Sequence, residues 1–238
     1  MKLVVTEKND AAQKIADLLG VKKPKADKVY STPVYRFDVD GEEWVTIGLR
    51  GHILEPDFTP TMVYKKRGGW QGVTEEGETF PAQLPATLPK PPFKKKKPFT
   101  EDGVELKTWK MDALPYLVYA PIKKLPKEKE IIRSLKNLAK KADSIIIATD
   151  FDREGELIGS DALSCIQEVN PDAPVQRARY SAFTKEEITH AFDNLVELDV
   201  NLASAGASRQ DIDLIWGAVL TRYLTLVKFA GYGNVRSS

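Results

Sequence analysis

Cysteine is almost missing from this chain: Cys165 stands alone among 238 residues. A lone thiol excludes an internal disulfide framework and fits a reducing compartment. We expect Cys165 to act as a small buried apolar residue on a helix. Histidine is nearly as scarce, and His52 and His190 with one cysteine cannot assemble a four-ligand zinc site. No apolar stretch approaches the ~18 residues of a membrane span. The opening MKLVVTEKNDAAQKIADLLG has an apolar run of only four residues before Glu7, so it reads as folded structure rather than a leader. An excess of charge of either sign is also missing. Thirty-five basic and 34 acidic residues leave +1, which gives no whole-chain signal for nucleic acid. Internal repeats are absent.

What is present is enough apolar sequence, 42% of residues, to bury one large core or two small ones. Residues 2–6, KLVVT, read as a short buried strand. Residues 10–19 read as a helix with Ala11, Ile15, Leu18 and Leu19 on one face and Gly20 as its stop. Glu7 and Lys8 therefore lie at a strand-to-helix turn, the edge where open α/β sheets bind ligands. Alternation on both sides of Asp40-Gly41 predicts a hairpin, and RGHILEPDF follows as a loop. From about 56 to 105 the chain is rich in Pro, Gly and Lys with weak periodicity, which predicts a partly mobile insertion. Helical spacing returns over 127–142. A strand over 144–149, a helix from about 154 to 168 and a strand in VQRARYSAF follow. Thr184 with Glu187 forms a capping box opening a helix to about 195. Residues 207–229 predict one long helix with a break or kink near Gly217. The βα units imply a mostly parallel, Rossmann-like sheet covered by helices.

Charge concentrates in SIIIATDFDREGELIGSD, residues 144–161. Asp150 and Asp152 are two residues apart, so in extended geometry they point the same way, and Glu154 follows at the helix start. Carboxylates on a stiff strand end suit Mg²⁺, which takes hard oxygen ligands and keeps several waters. The same residues would also stabilise a helix N-terminus, by about 0.3–1 kcal/mol each. Spacing leaves both readings open. A D-x-D phosphatase is a third, but those usually carry Thr or Val where Glu154 stands and place the motif near the start of the fold.

ATDFDREGELIG resembles the D-x-D-R-E-G signature of the Toprim domain in type IA DNA topoisomerases. LVVTEKNDAAQKIADLLG resembles that family's opening strand and helix, its Glu-Lys pair being most like the topoisomerase III and archaeal branch. GLRGHILEPDF resembles the family's GH loop, ARYSAFTKEEITHAFDNL the exit from the Toprim domain, and ASRQDIDLIWGAVLTRYLTL the next helical domain. The resemblance implies a Toprim domain over 1–172, with the insertion at 56–105, and the incomplete start of a helical DNA-binding domain over 173–238. It places Glu7 at the acid/base glutamate and Lys8 beside the scissile phosphate. Asp150, Asp152 and Glu154 fall at the Mg²⁺ site. Arg153, Arg209, Asp213 and Arg222 fall at DNA contacts, and His52 in the GH loop, where a structural hydrogen bond suits it. It implies relaxation of negatively supercoiled DNA through a tyrosine that cuts one strand, with strand passage and religation.

None of the eight tyrosines stands in the family's nucleophile motif. The resemblance therefore implies an N-terminal fragment, inactive in relaxation alone, whose partners are single-stranded and negatively supercoiled DNA and the enzyme's remaining domains. It implies a cytoplasmic, nucleoid-associated location and no membrane partner. A Toprim nuclease or primase-like enzyme, or a non-catalytic DNA-binding module, are the alternatives. The run PKPPFKKKKPF, residues 89–99, reads either as a flexible DNA contact or as a solvated loop.

Overall fold

The computed structural model describes residues 1–233, with side chains through Lys228. In chain order the elements begin with β1 (Lys2–Thr6), α1 (Asn9–Leu19), β2 (Lys25–Val29), β3 (Thr32–Val39) and β4 (Glu42–Gly48). Then come β5 (Leu54–Phe58), β6 (Thr61–Lys65), β7 (Gly69–Val73), β8 (Thr79–Ala82) and β9 (Gly103–Glu105). A 3-10 turn precedes α2 (Leu114–Leu117), followed by β10 (Ile122–Pro126), α3 (Lys129–Ala139), β11 (Ser144–Ile147) and α4 (Arg153–Gln167). The last elements are β12 (Val175–Arg177), α5 (Lys185–Asp193) and α6 (Val200–Gly233). Two compact units result: Met1–Glu55 with Pro126–Ser208, and Pro56–Leu125 with the chain from Arg209.

The first unit is built on a six-stranded sheet, β12-β11-β1-β4-β3-β2. Its first four strands are parallel, and β3 and β2 run antiparallel at one edge. The mostly parallel sheet read from the sequence is formed by these four strands, and the hairpins add two antiparallel ones without a crossover helix. The β3–β4 turn is Asp40-Gly41, both at positive φ (52° and 84°), as a two-residue hairpin loop requires. Alternation along β1 serves both faces. Leu3 and Val5 meet Leu135, Leu138 and Cys165 of α3 and α4, while Val4 meets Ile15, Ile188 and Phe192 of α1 and α5. Cys165 is buried in that first core, and burial pushes its thiol pKa up.

Thr184 caps α5 by accepting the Glu187 N–H at 3.2 Å. The return arm of the expected box is redirected: the Glu187 carboxylate accepts the Ser181 N–H and Oγ–H, both at 2.7 Å. Thr184→Ala should cost about 1 kcal/mol, read as a shift in the urea midpoint; no shift would mean the cap is idle. The expected boundary at 172/173 does not divide the contacts. Ala178, Tyr180, Ile188 and Phe192 belong to the first unit's core, so β12 and α5 stay with it.

The second unit corrects the mobile insertion. Residues 56–105 contain a four-stranded antiparallel sheet, β8-β7-β6-β9, and the unit continues to 125. Its own core holds Met62, Trp70, Val104, Leu106, Tyr116 and Leu117, with Val219 and Leu226 of α6 packed against it. Strands of three to five residues separated by Pro and Gly carry too little periodicity to register in sequence. Helix α6 begins at Val200 rather than 207 and runs past Gly217 unbroken. Among the described residues no helix is long and apolar enough to cross a membrane.

Candidate active site at the carboxyl edge of the sheet

Three neighbouring parallel strands end together. Val5 of β1 lies level with Ile147 of β11, and Thr6 with Gly48 of β4. Their extensions therefore carry Glu7-Lys8, the Arg50-Gly51-His52 loop and the acidic turn to one edge. Backbone bonds lock these loops to β1: Leu49 N–H to Thr6 O (3.0 Å), Gly51 N–H to Glu7 O (2.9 Å) and Ala148 N–H to Val5 O (2.7 Å). Two glycines permit the approach. A Cβ on Gly48 would stand 2.5 Å from Asn9 N, and one on Gly155 only 1.9 Å from Asp150 O. The Thr149 hydroxyl closes the same turn by donating to Gly155 O at 2.7 Å.

The side chains divide into two groups and a cap. The Lys8 ammonium lies 3.0 Å from Glu7 Oε1 and 3.6 Å from Asp150 Oδ2. Its pKa is pushed up, first by the hydrogen bond and charge of Glu7 and then by Asp150, so it stays cationic. His52 Nε2 lies 3.0 Å from Glu154 Oε2. Asp152 is the N-cap of α4 and accepts the Gly155 N–H at 2.7 Å. Among the described residues, no three His, Cys, Asp or Glu side chains gather closely enough to hold a metal ion. The shared carboxylate face expected of Asp150, Asp152 and Glu154 is thus not formed. Strand β11 stops at Ile147 and the chain bends at 151–152, so the extended geometry that aligns i and i+2 is lost. The donor set itself fits a hard divalent ion: all three are carboxylates, and those of Asp150 and Glu154 are 45% exposed.

Arg153 opens α4 with its side chain exposed, while its carbonyl faces Gly206 closely enough that a Cβ there would lie at 2.7 Å. In the second unit, Arg209 and Asp213 stand exposed one turn apart on α6, with Nε 3.7 Å from Oδ2. Arg222 differs from the expectation of a DNA contact. Its Nη1 donates to Leu106 O at 2.6 Å and its guanidinium lies 5.3 Å from the Trp109 ring. Half-burial and these partners make it a tie between α6 and residues 106–109.

Sequence reasoning missed Arg177 and Glu156. Both side chains are fully buried and paired, Nε to Oε1 at 2.8 Å. Arg177 Nη2 donates to Asp150 O at 3.0 Å, and Nη1 to Ile147 O at 3.3 Å and to Ala178 O. Glu156 Oε2 accepts the Asp199 N–H at 3.3 Å. This pair fixes the backbone on which Asp150 is carried. The only hint was that Glu156 falls where α4 turns inward, toward Leu157 and Ile158. Arg179 was missed too; its guanidinium sits 4.7 Å from the exposed Phe151 ring at the acidic turn.

A Glu-Lys turn and a D-x-D-R-E-G turn thus follow adjacent parallel strands at one sheet edge. The chain belongs to the Toprim domain family, whose model matches residues 2–183. DNA topoisomerases are among its curated relatives. Over 228 residues it is 38% identical to DNA topoisomerase 1 of Archaeoglobus fulgidus, covering 94% of this chain and 27% of that protein. It is 32% identical to DNA topoisomerase 1 of Thermoplasma acidophilum over 94% of this chain and 23% of that one. Human DNA topoisomerase 3-alpha is 30% identical over 94% of this chain and 19% of its own length. The chain thus spans about a quarter of the archaeal relatives or less.

Proposed function

We propose that this chain provides the metal-binding and phosphate-binding part of a type IA DNA topoisomerase, which relaxes negatively supercoiled DNA by transient single-strand cleavage, strand passage and religation. The observation that carries the reading is the meeting of Glu7, Lys8 and Asp150 at the shared carboxyl edge of three parallel strands. Lys8 supplies a fixed positive charge for a phosphate in its transition state. Glu7, held beside it and only 14% exposed, passes a proton to or from the oxygen that leaves or attacks. Asp150, Asp152 and Glu154 are the residues that would hold Mg²⁺, and the ion would supply charge neutralisation at the phosphate. Arg153 and the Arg209–Asp213 pair contact single-stranded DNA, the carboxylate orienting the guanidinium. The attacking hydroxyl comes from a tyrosine outside this sequence, since none here stands in a suitable motif. The same reading places the protein with the chromosome in the cytoplasm.

The test joins this chain with a polypeptide carrying the relatives' remaining domains and follows relaxation of negatively supercoiled DNA with Mg²⁺. Restored relaxation that falls by about 10²-fold or more in the Asp150→Ala, Asp152→Ala double variant supports the reading. Relaxation that survives the double change removes the metal role. Strand cutting by this chain alone, dependent on Mg²⁺, would point instead to a nuclease. Binding has its own readout: at 100 times Kd, Mg²⁺ should add about 2.7 kcal/mol of stability to the parent chain and much less to the double variant.

A further inference from the structure

Residues 56–125 carry twelve basic and eight acidic side chains, whereas the rest of the chain carries 23 and 26. The excess is local. Lys65, Lys66 and Arg67 form the exposed tip between β6 and β7, and Lys94 to Lys97 form an exposed run after Phe93. Distant in sequence, the two runs leave from one end of the same scaffold. Tyr64 N–H, just before the tip, bonds to Asp102 O at 2.9 Å; Phe93 N–H, just before the run, bonds to the adjacent Glu101 O at 3.3 Å. Aromatic packing joins them beneath, with Tyr64 5.5 Å from Trp70 and Trp70 stacked on Phe93 at 6.5 Å. Lys90 adds a further cation, its Nζ 5.6 Å from the Tyr64 ring.

Carboxylates neutralise only part of this end. Glu101 pairs with Lys95 at 3.1 Å and Glu105 lies 3.8 Å from Lys97. Among the described residues, Lys65, Lys66, Arg67, Lys94 and Lys96 have no ion-pair partner. Like charges brought together on a packed scaffold repel one another, and a polyanion relieves that repulsion. No large apolar side chain between residues 31 and 108 is exposed, so the patch has neither a wedge for a bilayer nor an aromatic platform for bases.

We propose that this cationic end of the second unit, built from the 65–67 tip and the 94–97 run, is a phosphate-backbone contact for nucleic acid, separate from the Glu7–Asp150 edge and blind to base sequence. It rests on the reading that DNA is the substrate. The test is a salt titration of binding by the whole chain, using a labelled single strand and the matching duplex, for the parent and for a variant with Lys65, Lys66, Arg67, Lys94 and Lys96 all changed to Gln. These side chains are exposed, and near-UV circular dichroism checks the fold. A control variant changes Lys22, Lys23, Lys25, Lys28 and Lys140 of the first unit to Gln.

If each of the five cations meets one phosphate, the slope of log affinity against log salt should shrink by up to about 3.5 for the single strand and about 4.5 for the duplex. The control should keep the parent slope. A parent slope retained by the five-site variant overturns the inference and leaves the topoisomerase reading standing, as does an equal loss in the control. No binding by the parent to either strand form removes both. Binding to anionic phospholipid vesicles that depends on the five sites, with oligonucleotide binding unchanged, replaces the inference with a membrane contact.

Discussion

Arg177→Ala is expected to cost about 3–5 kcal/mol of folding stability, the usual penalty for removing one partner of a buried ion pair. The change strands the Glu156 carboxylate in a site with no solvent access and strips donors from the carbonyls of Ile147, Asp150 and Ala178. A domain of this kind is stable by only about 5–15 kcal/mol, so much of its margin would go. Arg177→Lys should recover part of the loss, keeping the charge while losing the planar fork that reaches several carbonyls at once. Replacing Arg177 by Met together with Glu156 by Leu should be less damaging than Arg177→Ala alone, because no charge is left buried. Urea denaturation followed by far-UV circular dichroism measures all three. A loss under about 1 kcal/mol for Arg177→Ala would contradict the buried pair.

Glu7→Gln is expected to lower relaxation by about 10²–10⁴-fold in the reconstituted enzyme, the range for a lost general acid or base. The amide oxygen can still accept from the Lys8 ammonium, which lies 3.0 Å from Glu7 Oε1, so folding and DNA affinity should stay close to the parent values. That split between turnover and binding distinguishes a proton-transfer group from one that merely holds Lys8 in place. Relaxation within threefold of the parent would show that the proton moves by another route. Lys8→Met is a useful companion, since it removes the positive charge near Asp150 and should weaken DNA binding as well as turnover.

Much of the first unit was legible because its signals are local. Strand β1, helix α1, the Asp40-Gly41 hairpin and the Thr184 cap each depend on residues within one turn or one alternation of each other. Glu7, Lys8 and the acidic turn could be placed at strand ends for the same reason. The second unit was not legible. Its strands are short, and Met62, Trp70, Val104 and Tyr116 become a core only when segments tens of residues apart pack together. Arg222 illustrates the same limit on a helix, where periodicity gives a face but not the Leu106 carbonyl and Trp109 ring that occupy the guanidinium.

The sequence by itself determined which residues meet the carboxyl ends of buried strands, and hence the chemistry on offer: carboxylates, one lysine and one histidine. Tertiary structure alone decided how they are shared out. It gave Asp150 to Lys8, Glu154 to His52 and Asp152 to the start of α4. It also turned Arg177, one arginine of two in VQRARYSAF, into the buried support of the acidic turn, because β12 docks beside β11 and seals its guanidinium from water. Periodicity reports where a side chain points relative to its own backbone; burial, pairing and the loss of solvent around a charge depend on what the rest of the chain brings to that place.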